Sequence, residues 1–221
     1  MTTPVSVIIP SLNEESRIGA AIGSAWAAGA AEVIVCDGGS TDATVSVATS
    51  HGARVIACEP MRARQLNRGA EAATGQYLIF LHADTTLPPD AAEAVTKARA
   101  DFGGFRLSFA ENAPKLRVAA AMINLRTFFT RCPWGDQAQF IRRDRFLSLG
   151  GYRQVPIMED YDLAVRMRRS ARTVVLPQCV ITSGRRFLEK GVWRTAYINW
   201  RVIIGWRLGE DAAELARLYR S

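Results

Sequence analysis

Apolar runs that suit buried strands alternate with helix-like stretches through the first half of the chain. The runs are VSVII (5–9), EVIVC (32–36), RVIAC (54–58) and YLIFL (77–81), and helix-like sequence follows each of the first three. Continuous apolar runs of this length are typical of strands that are covered on both faces. The resulting β-α units predict a doubly wound α/β sheet with mostly parallel strands.

The alternation changes after Phe102, where we expect an elaborated second half of the same domain. Strands are predicted at FGGFRLSF (102–109), AQFIRR (138–143) and RTVVLP (172–177), and helices at PKLRVAAAMINLRTFF (114–129) and MEDYDLAVRMRR (158–169). No internal repeat or low-complexity linker separates the two halves, so residues 1–221 are expected to form a single domain.

The composition is that of a globular protein, since 48% of the 221 residues are hydrophobic. That is enough to bury one substantial core. No apolar run reaches the ~18 residues of a membrane-spanning helix, and MTTPVSVIIPS lacks the basic segment of a signal peptide. The four cysteines have no metal-binding spacing, so we expect reduced thiols and a cytoplasmic location.

Positive charge is concentrated in the last third of the chain. Residues 1–141 contain 12 basic and 13 acidic residues, whereas residues 142–221 contain 16 and 8. This asymmetry suggests an anionic partner such as a diphosphate, an acidic membrane surface or a nucleic acid. Solubility is the alternative explanation.

Polar residues follow the first two predicted strands. IIPSLNEE (8–15) places Asn13 and Glu14 at a helix start, which capping alone would explain. VIVCDGGSTDAT (33–44) places Asp37 at the tip of its strand, where the carboxylate could accept hydrogen bonds from a base or a ribose. Neither a dinucleotide-binding fingerprint nor a P-loop is present.

The strand YLIFL ends in HADTTLPPD, which puts Asp84 at its carboxyl end. Ligands of open α/β sheets bind at that edge. One carboxylate together with two phosphates can hold Mg²⁺ or Mn²⁺. His82 could supply a nitrogen ligand, or it could be a buried imidazole that is hydrogen-bonded to the backbone.

Three acidic residues open the helix predicted at MEDYDLAVRMRR, namely Glu159, Asp160 and Asp162. They could simply complement the helix dipole. Alternatively, one of them is a general base that deprotonates a hydroxyl nucleophile.

Taken together, SVIIPSLNEE, VIVCDGGSTDAT, LIFLHADTTLP and MEDYDLAVRMRR resemble a bacterial family 2 glycosyltransferase of the GT-A fold in order and spacing, over roughly residues 4–170. RARQLNRGA (62–70) and GDQAQFIRRDRFLSLGGY (135–152) resemble a compact subgroup encoded near radical-SAM and arsenosugar genes.

The resemblance implies an inverting transfer from a nucleotide-diphosphate sugar, with a UDP-sugar expected, to a hydroxyl acceptor. It assigns residues 1–101 to the nucleotide-sugar half, 102–191 to the acceptor half and 192–221 to a C-terminal amphipathic helical segment. The implied nucleotide-binding residues are Pro10, Leu12, Asn13, Glu14, Asp37 (for the base), Arg62, Arg64, Ala83 and Asp84. Asp84 would also bind Mn²⁺ or Mg²⁺, and Asp160 would be the general base. The implied acceptor-binding residues are Trp134, Asp136 and Glu159.

The chain departs from the family pattern at three places. His82 replaces the first carboxylate of the D-x-D motif, and Gly38 replaces the second aspartate of the D-D-G-S form. The Q-x-x-R-W motif is not recognisable, and RRFLEKGVWRT (185–195) is the candidate replacement. The alternatives to a glycosyltransferase are a nucleotidyltransferase, whose Gly-rich basic loop is missing after strand one, and a non-catalytic nucleotide-sugar-binding module. A nucleic-acid partner is not expected.

The stretch VWRTAYINWRVIIGWRLG (192–209) places Trp193, Tyr197, Trp200 and Ile204 on one side of a helix. Arginines interrupt the run, which excludes a plain membrane span. An interfacial membrane helix over 192–208, packing against the domain, and pairing in a homodimer are the three alternatives.

Overall fold

A computed structural model describes residues 3–221, and its first half consists of β-α units in the predicted order. These elements are β1 (Val5–Ser11), α1 (Ile18–Ala27), β2 (Glu32–Asp37), α2 (Thr44–Ser50), β3 (Arg54–Ala57), α3 (Arg62–Ala72) and β4 (Tyr77–Phe80). β1 lies between β2 and β4, and all the pairings among these four strands are parallel. The carboxyl ends of β1, β2 and β4 therefore meet at one edge of the sheet.

The second half extends the same sheet and adds most of the helices. Its elements are β5 (Thr85–Thr86), α4 (Ala91–Ala98), β6 (Phe102–Phe109), α5 (Pro114–Thr130), β7 (Phe140–Arg142), α6 (Arg143–Ser148), α7 (Glu159–Ser170), β8 (Thr173–Thr182), α8 (Arg185–Lys190), α9 (Val192–Leu208) and α10 (Ala212–Arg220). The strand order is β3-β2-β1-β4-β7-β6-β8-β5. β7 is antiparallel to β4 and β6, whereas β6 and β8 are parallel. The sheet is thus mixed beyond β4.

Both faces of the sheet are buried, as the continuous apolar runs predict. On β1, Val7 and Ile9 belong to one core cluster, while Ile8 between them belongs to the cluster on the opposite face. This alternation is the period of two that a strand imposes on its side chains.

The last two helices pack on the start of α7 rather than on the sheet. Ile198 and Val202 of α9 and Leu215 of α10 form a third apolar cluster with Met158 and Tyr161. Gly205 permits close packing here, because a Cβ atom at that position would lie 2.7 Å from the Leu215 side chain. The C-terminal segment is therefore built onto the element that carries Asp160.

Two predicted boundaries were wrong for local reasons. The first helix was expected from Glu14 but begins at Ile18, and Asn13 has a positive φ of 55° that helical backbone does not allow. β8 continues beyond Pro177, where the prediction ended it. A bulge accommodates the proline, since the register with β6 shifts between Phe105 and Arg106.

Within residues 3–221, none of the helices combines the length and the apolar character that crossing a membrane requires.

Candidate active site

Six of the predicted nucleotide-binding residues line one cavity of 270 Å³ at the carboxyl ends of β1 and β4. We call it the strand-end cavity, and its predicted lining residues are Pro10, Leu12, Glu14, Arg62, Ala83 and Asp84. β1 supplies Pro10, and the loop after it supplies Leu12 and Glu14. The start of α3 supplies Arg62, and the turn after β4 supplies the last two. The sheet order thus brings together residues that are up to 74 positions apart in the sequence.

Gln65 ties the ends of β1 and β2 together beneath this cavity, a role that the sequence did not indicate. Its Nε2 donates hydrogen bonds of 2.8 Å to the carbonyl oxygens of both Ser11 and Cys36. Because Gln65 is buried, these two bonds hold the separation of the strand ends.

Asp37 lies beside the cavity but does not line it. Its carboxylate accepts hydrogen bonds from Ser11 Oγ (3.1 Å), Gly39 N (3.0 Å), and Ser40 N (2.8 Å) and Oγ. Burial acts to raise the pKa of Asp37, and these hydrogen bonds outweigh it, so that the pKa lies below its ordinary value. Its observed contacts order the turn after β2, and its contact with a base stays a prediction.

Asn13 is also occupied by protein contacts. Its Oδ1 accepts a hydrogen bond of 2.9 Å from Thr41 N, and its own N–H donates to Ser40 Oγ at 2.9 Å. Asn13 therefore joins the loop after β1 to the loop after β2, at the rim of the strand-end cavity.

Arg64 points away from the strand-end cavity. Its guanidinium pairs with Glu59 and donates to Gln154 Oε1 at 3.2 Å, on a separate surface depression that also contains Asn67. Two residues along a helix correspond to a rotation of about 200°, so Arg62 and Arg64 cannot face the same site. The prediction that Arg64 contacts the nucleotide has no support from its position.

Asp84 faces the strand-end cavity together with a cation from the far end of the chain. Arg185 Nη2 lies 3.8 Å from Asp84 Oδ2 and 3.4 Å from Glu14 Oε1. The arginine comes from the RRFLEKGVWRT stretch, at the start of α8. The guanidinium of Arg185 thus occupies the position at which a metal ion or a diphosphate-binding cation is expected.

His82 lines the strand-end cavity and a second cavity behind it. Burial, with the Arg62 charge nearby, lowers the pKa of His82 to about 4, so the ring is neutral near pH 7. Among residues 3–221 its ring nitrogens have no hydrogen-bond partner. The expected backbone-bonded imidazole is therefore not observed, and the neutral ring is free to act as a ligand.

The residues at this edge fit a divalent metal that shares its ligands with a diphosphate. Residues 3–221 contain no group of three or more His, Cys, Asp or Glu side chains that could hold a metal alone. Asp84 offers a carboxylate and His82 a neutral imidazole, and both face the same cavity. Oxygen ligands suit Mg²⁺ and Mn²⁺, and Mn²⁺ tolerates a nitrogen ligand as well.

The second cavity, of 310 Å³, lies between the strand-end cavity and α9, and we call it the helix-capped cavity. Arg62, His82, Asp84 and Arg185 line both cavities, so the two adjoin each other. Asp160 lines the helix-capped cavity only. The predicted metal ligand and the predicted base thus face one continuous space.

Backbone groups fix the carboxylate of Asp160. Oδ2 accepts a hydrogen bond of 2.7 Å from Gly135 N, and Oδ1 accepts one of 2.7 Å from Tyr161 N. Gly135 is required for this approach, since a Cβ atom there would lie 2.7 Å from His82 Nε2 and 3.0 Å from Asp160 Oδ2. Gln139 Nε2 donates to the Asp160 carbonyl oxygen at 2.9 Å and so holds the backbone as well.

Glu159 and Asp162 are engaged in ion pairs and line neither of the two cavities. Glu159 is 2% exposed and pairs with Arg62. Asp162 pairs with Arg166 at 2.8 Å and with Arg153 at 3.2 Å. The sequence placed Glu159 on the acceptor; the structure buries it against Arg62, and its contact with an acceptor stays a prediction.

Asp136 is a second carboxylate in the helix-capped cavity. Its Oδ1 is buried and has no hydrogen-bond partner among the described residues. Burial, opposed in part by Arg126 and reinforced by the negative charge of Asp160, raises the pKa of Asp136 to about 6. A carboxylate with this pKa is suited to exchanging a proton near neutral pH.

α9 contributes polar atoms that the sequence analysis overlooked. Thr195 Oγ1 and Asn199 Oδ1 are buried without a hydrogen-bond partner in residues 3–221, and both residues line the helix-capped cavity. Their positions, separated by four, could have been noticed on the face opposite the aromatic stripe. Trp134 lines the cavity too, with the Arg126 guanidinium 3.5 Å from its ring centroid.

A family model and a related protein of known name indicate the same family for this chain. Residues 6–104 match the family model described as "Glycosyl transferase family 2". The chain is 32% identical over 193 residues to the "PGL/p-HBAD biosynthesis glycosyltransferase" of Mycobacterium bovis, covering 75% of this chain and 70% of that protein.

The solved structures that it resembles have the same fold. It is similar to Staphylococcus aureus TarS 1–349, with a TM-score of 0.65 and 17% identity over 97% of this chain and 68% of that one. The structure of TarS 1–349 in complex with UDP gives a TM-score of 0.60 at 17% identity, covering 82% of this chain and 58% of that one.

Proposed function

Because this chain belongs to glycosyl transferase family 2, we propose that it moves a sugar from a UDP-sugar to a hydroxyl group of an acceptor, with inversion at the anomeric carbon. The GT-A fold and the glycosyltransferase activity expected from the sequence are confirmed. The observation that carries the proposal is the continuity of the two cavities, which gives Asp84 and Asp160 access to one bound substrate.

The donor nucleotide is proposed to lie in the strand-end cavity, with its diphosphate over Asp84 and Arg62. Pro10, Leu12, Glu14 and Ala83 complete the walls of this cavity. The TarS structure in complex with UDP supports a uridine nucleotide as the ligand. Asp37, buried beneath the same edge, is proposed to act on the base through the turn that it orders.

Asp84 is proposed to hold Mn²⁺ or Mg²⁺ against the diphosphate, with His82 as an additional ligand. Such a cation would act as a Lewis acid that stabilises negative charge on the departing UDP. Arg185, which already contacts Asp84 and Glu14, is proposed to bind the diphosphate when the donor is present. Arginine suits this role because its planar donors match phosphate oxygens.

Asp160 is proposed to accept the proton of the attacking hydroxyl. Backbone N–H groups bind both of its oxygens, which orients the carboxylate towards the cavity. Asp136 is the competing candidate, because its unpartnered Oδ1 and raised pKa also suit a base. Only one of the two needs to be deprotonated for the transfer, and the charge of Asp160 helps to raise the pKa of Asp136.

The acceptor is proposed to be a hydroxyl-rich group held in the helix-capped cavity. Asp136 Oδ1, Asn199 Oδ1 and Thr195 Oγ1 are buried acceptor atoms without partners. Hydroxyl groups of a sugar or polyol could donate hydrogen bonds to all three, and Trp134 offers an aromatic face for the ring.

A donor screen tests the proposal directly. Release of nucleoside diphosphate is measured with UDP-, GDP-, CDP- and ADP-sugars, with and without Mn²⁺, and with simple sugars as acceptors. Release from a UDP-sugar that requires Mn²⁺ is the expected result. Tight UDP binding without release from any donor would instead indicate a non-catalytic binding module.

A further inference from the structure

α5 presents an apolar row to solvent although its other side is already packed. Leu116, Ala119, Ala120 and Thr127 are its buried residues. Its exposed row follows helical steps of four, three and four residues and consists of Val118, Met122, Leu125 and Phe129, with Phe128 beside them. Phe129 is 74% exposed, so no part of the described chain covers this row.

α9 shows the same arrangement. It buries Val192, Thr195, Ile198, Val202 and Gly205 against the rest of the protein. Its opposite side exposes Trp193, Tyr197, Trp200 and Leu208, and Trp193 is 74% exposed. The aromatic row noted in the sequence therefore takes no part in packing within residues 3–221.

α5 and α9 contact each other, so the two exposed rows lie on neighbouring helices. Between them lies a cavity of 700 Å³ whose walls include Trp200 and Trp206. Four arginines also line it, namely Arg126, Arg168, Arg169 and Arg207. None of the four pairs with a carboxylate in the part of the chain that the structure describes. We call the two rows with this cavity the α5–α9 face.

The charge of this face is of one sign. α5 and α9 have 17 residues each and together contain six basic and no acidic residues. Asp162 is the only acidic residue that lines the cavity among the described residues, and Arg153 and Arg166 neutralise it. A second copy docked on this face would bring arginines against arginines, whereas an anionic bilayer complements both the apolar rows and the positive charge.

We propose that the α5–α9 face docks on an anionic phospholipid bilayer. The exposed side chains of the two rows would lie at the boundary between headgroups and acyl chains, and the exposed Arg168 and Arg169 would bind lipid phosphates. Each helix is about 25 Å long, so two exposed rows offer more apolar area than a single row would. This interaction goes beyond the sugar transfer and does not depend on it.

The test is co-sedimentation of the full chain with vesicles of phosphatidylcholine alone or mixed equally with phosphatidylglycerol. We expect binding to the mixed vesicles only, weakened by added salt. Trp193→Ala with Trp200→Ala should reduce the partition coefficient by about tenfold or more, because both side chains are largely exposed and would supply much of the lipid contact. Arg168→Glu with Arg169→Glu should have a similar effect through charge.

Matched variants elsewhere on the surface serve as controls. Arg54→Glu with Arg99→Glu makes the same change in net charge, and Val45→Ala with Leu147→Ala removes exposed apolar groups outside the face. Both controls should bind like wild type. Equal binding of face variants and controls, or equal binding to neutral vesicles, would overturn the proposal. So would a lipid-free dimer that the tryptophan variant converts to a monomer.

Discussion

Arg185 and Asp84 come from opposite halves of the chain and meet at the strand-end cavity, with 3.8 Å between Nη2 and Oδ2. The same guanidinium lies 3.4 Å from Glu14 Oε1, so one cation neutralises two carboxylates. A metal–diphosphate complex that binds there brings both signs of charge. In the proposed donor complex Arg185 would exchange these carboxylates for phosphate oxygens, and α8 would form part of the donor site.

Arg185→Gln should therefore have opposite effects on metal and nucleotide. Loss of the guanidinium leaves Asp84 without its counter-charge, whereas Glu14 keeps its pairing with Arg17 at 3.2 Å. Mn²⁺ alone should therefore bind more tightly at Asp84. UDP in the presence of Mn²⁺ should bind about tenfold more weakly, because a charge-assisted hydrogen bond is lost. Calorimetric titration measures both affinities. Arg186→Gln is the control, since Arg186 stacks on Tyr219; unchanged affinities in Arg185→Gln would remove Arg185 from the donor site.

Asp84→Asn should nearly abolish Mn²⁺-dependent UDP binding and leave the fold intact. The amide keeps the size of the side chain but removes the charge that a hard cation requires. Thermal shift with UDP, measured with and without Mn²⁺, reports the effect. The metal-independent part of the UDP shift is the internal control. A full Mn²⁺-dependent shift in the variant would exclude Asp84 as the metal ligand.

His82→Ala distinguishes a ligand from a wall of the cavity. The pKa of His82 is about 4, so its protonation should not alter UDP–Mn²⁺ affinity at pH values well above that. We expect the alanine variant to weaken this affinity less than Asp84→Asn does, because an additional ligand is easier to replace by water. A loss as severe as that of Asp84→Asn would show that His82 is an essential ligand.

Asp136→Asn should stabilise the protein near neutral pH. The pKa of Asp136 rises from 3.8 to about 6 on folding, so this group favours the folded state fully below pH 3.8 and loses that contribution as the pH rises through 6. Above pH 6 the buried charge costs up to about 3 kcal/mol, which the amide removes.

Melting temperatures at several pH values test this, since each kcal/mol is worth about 2–4 °C in a chain of this size. The variant should melt higher than wild type at pH 7.5, and the difference should shrink towards pH 4. Asp101→Asn, which changes a carboxylate paired with Arg142 and Arg145, should not show that pattern. A difference in Tm between Asp136→Asn and wild type that does not change with pH would contradict the pKa assigned to Asp136.

Much of the fold could be predicted because the buried strands are recognisable in the sequence as continuous apolar runs. The four apolar runs in the first half of the chain predicted β1 to β4. The end of the run at 77–81 placed Asp84 at the edge of the sheet where ligands bind. The strand at 138–143 was predicted and contains β7, but its antiparallel pairing and the two-residue β5 could not be foreseen, since long-range contacts and not the local pattern define them. Helices α8 and α10 are short segments that packing stabilises more than propensity.

Site residues at the ends of strands could be predicted from the sequence. Site residues on helices could not, because the direction of the side chain determines which cavity or partner it reaches. Arg62 and Arg64 looked equivalent in the sequence, but helical rotation sends them to different surfaces. Glu159 looked free to bind an acceptor, although its pairing with Arg62 depends on a contact between residues 97 positions apart. Asn199 was overlooked because the sequence analysis considered only the aromatic row of α9, and Asn199 lies on the opposite side of that helix.

The central claim is that Asp160 is the base of an inverting transfer, and turnover of Asp160→Asn tests it most directly. UDP release is measured with the donor and acceptor selected by the screen, with UDP affinity determined in parallel and Asp136→Asn as the matched variant. Loss of a base costs about 10²–10⁴ in rate, or roughly 3–5 kcal/mol of barrier. The account predicts that loss for Asp160→Asn with UDP affinity unchanged. Turnover above about a tenth of wild type, or a larger loss in Asp136→Asn, would contradict it.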